Sequence, residues 1–137
     1  AIYSNGHLVL LNRYLDDTEL VGLIRSSLFV VCPYVDATQS GVIMSAFALN
    51  KPVIATNVGA LPSMVKNGQY GTIVPPRDVT SLATAINTLI EDPQEIEAMT
   101  ENIKHDYSKG KYSWNAIAQG ITDIYTKKLS TFGNRNN

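Results

Sequence analysis

The run Thr38-Gln39-Ser40-Gly41-Val42 carries the plainest chemical capacity in the sequence. Small, hydroxyl-bearing side chains around one glycine leave the backbone N–H groups accessible. Where such a run opens a helix, its first amides lack an intrahelical acceptor and face outward with the positive end of the helix dipole. An anion such as a phosphate binds there without a charged side chain. Gly41 would admit the ligand close to the backbone, and Thr38 and Ser40 would add hydroxyls. The same residues also suit a purely structural role, with Ser40 or Thr38 as N-cap and Gly41 relieving crowding, and capping is the commoner use of such residues. Asp36 stands beside the run as a loop carboxylate, either a ligand contact or the residue of an Asx turn.

Other chemistries find little support. Neither a GxGxxG fingerprint nor a Walker loop is present. His7 and His105 lie far apart, and His105 falls in an otherwise solvated helix, so neither reads as a general base or a metal ligand. The acidic residues are scattered, and no metal site is expected. Cys32, the one cysteine, sits within LFVVC as a buried strand thiol, a usage that fits a reducing compartment. Tyr34 and Tyr70 either wall a pocket or pack, packing being the commoner role, and Lys127-Lys128 is a solvated helix end. The formal net charge of −1, with signs interspersed, argues against a nucleic-acid partner. No apolar run approaches the roughly 20 residues that span a bilayer. The start AIYSNGHLVLLN has no basic leader, which leads us to expect a cytoplasmic protein. It opens almost inside an apolar segment, as a chain cut from something longer would.

The elements that must position the Thr38–Val42 run alternate between strand and helix. HLVLLN, residues 7–12, is an apolar run of strand length. In LDDTELVGLIRSS, Asp16 and Glu19 form a capping box, and Leu20, Leu23 and Ile24 share a helical face. LFVVCP gives a second strand, and Ser40 to Leu49 a helix ended by Asn50, which tolerates the left-handed C-cap. PVIAT, residues 52–56, and GTIV, residues 71–74, are further strands, separated by a helical turn over residues 62–66 and the turn Asn67-Gly68. Asp78 caps a helix with an apolar stripe of Val79, Leu82, Ala83, Ile86, Leu89 and Ile90. Asp92, Pro93 and Glu95 open another, lined by Ile96, Met99 and Ile103 and running to Gly110. Ser113 caps the last, with Trp114, Ile117, Ala118, Ile121, Ile124 and Tyr125 at helical spacing. Residues 131–137 read as a frayed polar tail.

Short continuous apolar strands between helices predict one α/β domain over residues 1–130, with a Rossmann-like parallel sheet covered by helices on both faces. Such sheets bind ligands outside the carboxyl ends of their strands. Residues 36–42 leave such an end, as do Arg13-Tyr14 and Asn57-Val58-Gly59.

A set of ordered pieces then narrows the class: Ala46-Phe47-Ala48, KPVIAT at 51–56, Val58-Gly59, Leu61-Pro62, Asn67-Gly68, GTIVPP at 71–76, DVTSL at 78–82, Ser113 to Ala118, and Ile124-Tyr125. Their order and spacing resemble the C-terminal, nucleotide-sugar-binding domain of the GT-B fold in retaining glycosyltransferases of family 4, the glycosyl transferases group 1. The resemblance implies a donor site for a nucleotide-diphosphate sugar, a UDP-sugar favoured, with the diphosphate and sugar received by Thr38, Gln39, Ser40, Gly41 and Val42. Arg13 and Tyr14 would lie near the base. It implies no metal or other cofactor, and an acceptor held by a separate N-terminal domain. The acceptor would be a glycan or lipid-linked molecule, as in bacterial surface polysaccharide (O-antigen or capsule) synthesis, with membrane contact no more than peripheral at the inner face.

The sequence also departs from that pattern. The family carries one glutamate in the loop near the sugar and a second on the helix near the ribose. Here Ala37 or Thr38 stands at the first place and Ser45 at the second, and Ser63 replaces a further glutamate after the Leu-Pro step. Ser45 is a candidate ribose contact and Asp36 a candidate sugar contact, and DATQSGV reads as a variant of the site. The family's diphosphate-neutralising cations and acceptor domain would precede residue 1. A departing nucleoside diphosphate needs such cations, so these residues alone are expected to bind donor weakly and not to turn it over. The alternative is a non-catalytic, doubly wound nucleotide-binding or interaction module whose missing glutamates mark lost activity. A flavodoxin-like regulator has less support, because no phosphate-accepting aspartate ends the first strand.

Overall fold

The structure is a computed structural model that describes residues 2–4 and 9–133. Its elements, in chain order, are β1 (Ile2–Ser4), β2 (Val9–Leu11), α1 (Asp17–Ser26), β3 (Val30–Cys32), α2 (Gly41–Ala48), β4 (Val53–Thr56), α3 (Leu61–Val65), β5 (Gly71–Val74), α4 (Val79–Glu91), α5 (Pro93–Ile103), a π-helical segment (Lys104–Lys109) and α6 (Trp114–Gly133). β3, β4 and β5 form a parallel sheet with β4 in the middle, Val53 lying opposite both Val30 and Gly71.

Strand side chains alternate between faces, and β4 divides the core accordingly. Val53 and Ala55 join Ile24, Ile43, Phe47, Leu61 and Tyr70 on one face, under α1, α2 and α3. Ile54 joins Val74, Ala85, Leu89 and Met99 on the other, under α4 and α5. A strand buried on both sides has to be apolar along its length, which is why PVIAT reads as it does. This is the Rossmann-like α/β architecture expected, with helices on both faces.

Local signals fix the helix ends. Asp16 caps α1 in a full capping box with Glu19. Asn50 takes φ 58° after α2, where its N–H donates to Phe47 O at 3.0 Å and the Lys51 N–H donates to Ala46 O at 2.8 Å. That Schellman pattern stops the helix and returns the chain to β4 at once. Lys51 Nζ then donates to Ser27 O at 2.6 Å, tying the end of α1 to the start of β4.

Four expectations change. Val9–Leu11 is a strand, but it pairs antiparallel with Ile2–Ser4, so the described residues hold three parallel strands where four were expected. An apolar run specifies extended backbone without specifying its partner, and the nearest segment along the chain has the lowest closure cost. The helix expected to run to Gly110 ends as α-helix at Ile103 and widens into the π-helical segment. A π turn resets the helical phase, and Asp106 and Tyr107 both meet the core there: Tyr70 donates to Asp106, and the Tyr107 ring lies 5.2 Å from Phe47. Of the stripe expected on α4, Leu89 is buried and Leu82 and Ile86 are half-buried, while Val79, Ala83 and Ile90 stay exposed and Ala85, outside that stripe, is buried instead, because a four-residue β5 covers only the middle of a thirteen-residue helix. The apolar spacing of α6 is real, yet Ile117, Ile121, Ile124 and Tyr125 remain exposed, and the helix extends to Gly133, into the segment expected as a tail. No helix among the described residues is long and apolar enough to cross a membrane. His7 lies outside the described residues.

Candidate functional site

The sheet brings residues 36–42 to the carboxyl end of β3, where they line one side of a cavity of about 610 Å³. Asp36, Thr38, Gln39, Ser40, Gly41, Val42 and Ser45 all border it, with Leu20 and Tyr34 closing the sides. Among the described residues that line it, Asp36 alone is charged, with no lysine or arginine.

Ser40 is the N-cap of α2. Its backbone is extended, its side chain is buried, and its Oγ accepts from the Ile43 N–H at 3.3 Å. The cap satisfies only the third residue of the helix, and the Met44 N–H returns to Ser40 O at 3.3 Å. The Gly41 and Val42 N–H groups are therefore the donors of the first turn that the helix leaves over. Capping and anion binding, alternatives on local grounds, would use different amides, so the cap does not exclude an anion. Relief of crowding at Gly41 is ruled out, because a Cβ there would meet nothing within 4 Å. Neither packing nor its φ requires glycine, and the residue itself is part of the cavity lining.

Ser45 lies one turn along α2, and its Oγ donates to Gly41 O at 3.0 Å. The hydroxyl hydrogen is thus committed, and Ser45 offers a ligand only acceptor capacity. The same residue borders a second, larger cavity of about 780 Å³ with an apolar wall that includes Met44, Phe47, Met64 and Tyr107.

Arg13 and Tyr14 are not brought into the cavity lining. Arg13 makes a two-pronged pair with Glu19 at 2.8 and 2.6 Å, and Glu19 holds the guanidinium charged while Arg13 depresses the carboxylate in turn. The arginine is thereby built into the α1 cap. Tyr14 is 87% exposed.

Two residues outside the expected site support its loop. The Thr56 hydroxyl, at the end of β4, donates to Tyr34 O at 2.5 Å, and Tyr34 Oη lies 3.4 Å from Ser40 Oγ. A threonine ending an otherwise apolar buried strand was the available signal, since a buried hydroxyl needs a partner. Tyr34 walls the cavity, whereas Tyr70 packs, fully buried in the core. Burial pushes the Cys32 thiol above its ordinary pKa, as suits an inert core residue. His105, also away from the cavity, pairs with Asp106 at 3.0 Å. Among the described residues, no group of three His, Cys, Asp or Glu side chains is placed to hold a metal ion.

Residues 3–92 match the family model described as glycosyl transferases group 1. The D-inositol 3-phosphate glycosyltransferase of Corynebacterium jeikeium is 32% identical over 117 residues, 85% of this chain and 27% of that protein. The glycogen synthase of Mycobacterium tuberculosis is 29% identical over 112 residues, 82% of this chain and 27% of that protein. The chain thus spans 27% of the length of both relatives. Anabaena HepE in complex with UDP-glucose superposes with a TM-score of 0.66 at 25% identity, covering 80% of this chain and 30% of that one. Its complex with UDP gives 0.65 at 26% identity, covering 77% and 29%.

Proposed function

The chain belongs to the group 1 glycosyl transferases, and from that premise we propose that it forms the donor-binding domain of a retaining, family 4 enzyme. Its donor is a nucleotide-diphosphate sugar, a UDP-sugar for preference. The observation that carries this reading is the pair of leftover amides, Gly41 and Val42, in residues that line a cavity at the carboxyl end of a parallel strand. Anionic oxygens suit those donors, and the relative HepE, of similar fold, is known in complex with UDP and UDP-glucose.

In this assignment the diphosphate rests on Ser40, Gly41 and Val42, and the sugar lies toward Gln39, Thr38 and Asp36. Ser45 accepts a hydrogen bond from a ribose hydroxyl. The amides do the phosphate work, with no metal ion needed for that contact. Arg13, which pairs with Glu19, and Tyr14, exposed beside it, are assigned toward the base. The acceptor, a glycan or lipid-linked molecule in polysaccharide synthesis at or near the cytoplasmic face of a membrane, belongs to a separate domain. The reading also includes DATQSGV as a variant donor loop in which Asp36 replaces the usual loop glutamate.

One observation favours a second reading, a nucleotide-binding module without catalysis: both glutamate places of the family pattern lack a carboxylate, Ala37 or Thr38 standing at the first and Ser45 at the second. Calorimetry with amide NMR separates the outcomes. UDP and UDP-glucose should bind with the largest shifts at Ser40, Gly41 and Val42. Silence toward every nucleoside diphosphate and nucleotide sugar would remove the donor assignment, and binding of UDP with indifference to the sugar would favour the second reading.

A further inference from the structure

We propose that Gly59 is a positioning residue of this cavity, setting where the Asp36–Thr38 loop stands without touching the ligand. The inference rests on the donor-site reading above. Gly59 lies in the loop between β4 and α3 with φ 50°, and a Cβ on it would fall 1.7 Å from Ala37 O and 2.9 Å from the Ala37 carbonyl carbon. No side chain fits at that separation, so the two loops can approach this closely only with glycine there. The next residue adds a tie: the Ala60 N–H donates to Thr38 O at 3.2 Å. With Thr56 Oγ1 on Tyr34 O at 2.5 Å, the loop between β3 and α2 is held at residues 34, 37 and 38 by the segment that ends β4 and leads into α3.

The cavity therefore has two halves held by different parts of the fold. Ser40, Gly41 and Val42 are fixed by the helix they open, through the Ser40 cap. Asp36, Ala37 and Thr38 are fixed by the loop beneath them. On the donor reading the first half takes the diphosphate and the second the sugar, so a disturbance at Gly59 should weaken sugar recognition and spare diphosphate binding. Uniform loss of fold would weaken both together.

The test compares Gly59→Ala with Gly68→Ala in this chain. Gly68 also has a left-handed backbone, φ 79°, but a Cβ there meets nothing within 4 Å, so it carries the backbone strain without the collision. UDP-glucose affinity should fall about tenfold in Gly59→Ala while UDP affinity changes less than about threefold, a split that placement of a single subsite produces. Gly68→Ala should alter neither. Thr56→Val, which removes one hydroxyl at nearly constant volume, is the milder variant and should shift the same ratio in the same direction, keeping the claim testable if Gly59→Ala does not fold. Equal losses for both ligands, or an unchanged ratio in folded variants, overturn the proposal. Should the unsubstituted chain bind neither UDP nor UDP-glucose, the donor reading fails. The positioning claim is then decided by the free protein: amide shifts of Asp36, Ala37 and Thr38 must move in Gly59→Ala and stay in place in Gly68→Ala.

Discussion

The two ends of the parallel sheet both carry polar groups and treat them in opposite ways. At the carboxyl end of β3, hydroxyls and amides line a cavity, the Gly41 and Val42 donors are left over by their helix, and the space before Gly41 is open. At the amino end of β5, Tyr70 donates to Asp106, which is also approached by Gln69 Nε2 at 3.3 Å, His105 Nδ1 at 3.0 Å and Lys111 Nζ at 3.3 Å. Phe47, Tyr107 and Tyr112 complete that cluster in a run of ring contacts. Among the described residues no buried side-chain polar atom lacks a partner. One end spends its polar groups on itself and gains stability; the other keeps hydrogen-bonding capacity in reserve, which is the condition for binding something else.

The contrast predicts that substitutions at the two ends separate binding from stability. The largest effect is expected from Gly41→Val: nucleotide-sugar affinity should fall by about a hundredfold or more, a loss of about 3 kcal/mol, because a side chain fills the approach to the amides. The same variant should melt close to the unsubstituted protein, since a Cβ at that position meets nothing within 4 Å. Calorimetric titration of the folded variant decides it, and unchanged affinity would count against the site.

Asp106→Asn should do the reverse, leaving nucleotide binding alone and destabilising the fold by about 2 kcal/mol, the scale of a hydrogen bond to a charged group. The Tyr70 hydroxyl, with His105 and Lys111, holds the Asp106 carboxyl down to about 2, below its ordinary value. A carboxylate depressed by folding stabilises fully above its unfolded pKa, and that contribution is lost as pH falls through the folded value. Thermal stability should therefore drop between about pH 4 and pH 2, and in Asp106→Asn that part of the acid limb should flatten. Melting curves across this range measure the difference.

The smallest effect belongs to Ser40→Ala, which removes the α2 cap and should cost about 1 kcal/mol of stability. Binding should weaken by only about threefold in the same variant, because the Gly41 and Val42 amides remain. Parallel denaturant and UDP titrations would show whether cap and cradle are separate, and a collapse of both would merge them.

The sequence by itself determined the strands of the parallel sheet, the capped starts of the helices, the stop of α2 and the stretch that borders the cavity. Those rest on local chemistry: apolar runs bounded by turns, the Asp16–Glu19 box, the Asn50 stop, and the small residues from Thr38 to Val42. Tertiary structure decided what depends on which groups meet. The strand Val9–Leu11 took an antiparallel partner. Arg13, read as a base contact, was claimed by Glu19, whose spacing also completes a cap. Asp106 and Tyr107 reached the core only because the backbone widened after Ile103. Gly59 looked like any loop glycine until the Ala37 carbonyl came to lie 1.7 Å from where its Cβ would be. Short-range periodicity and capping are written into neighbouring residues, but a side chain's commitment is a competition among partners that only folding assembles.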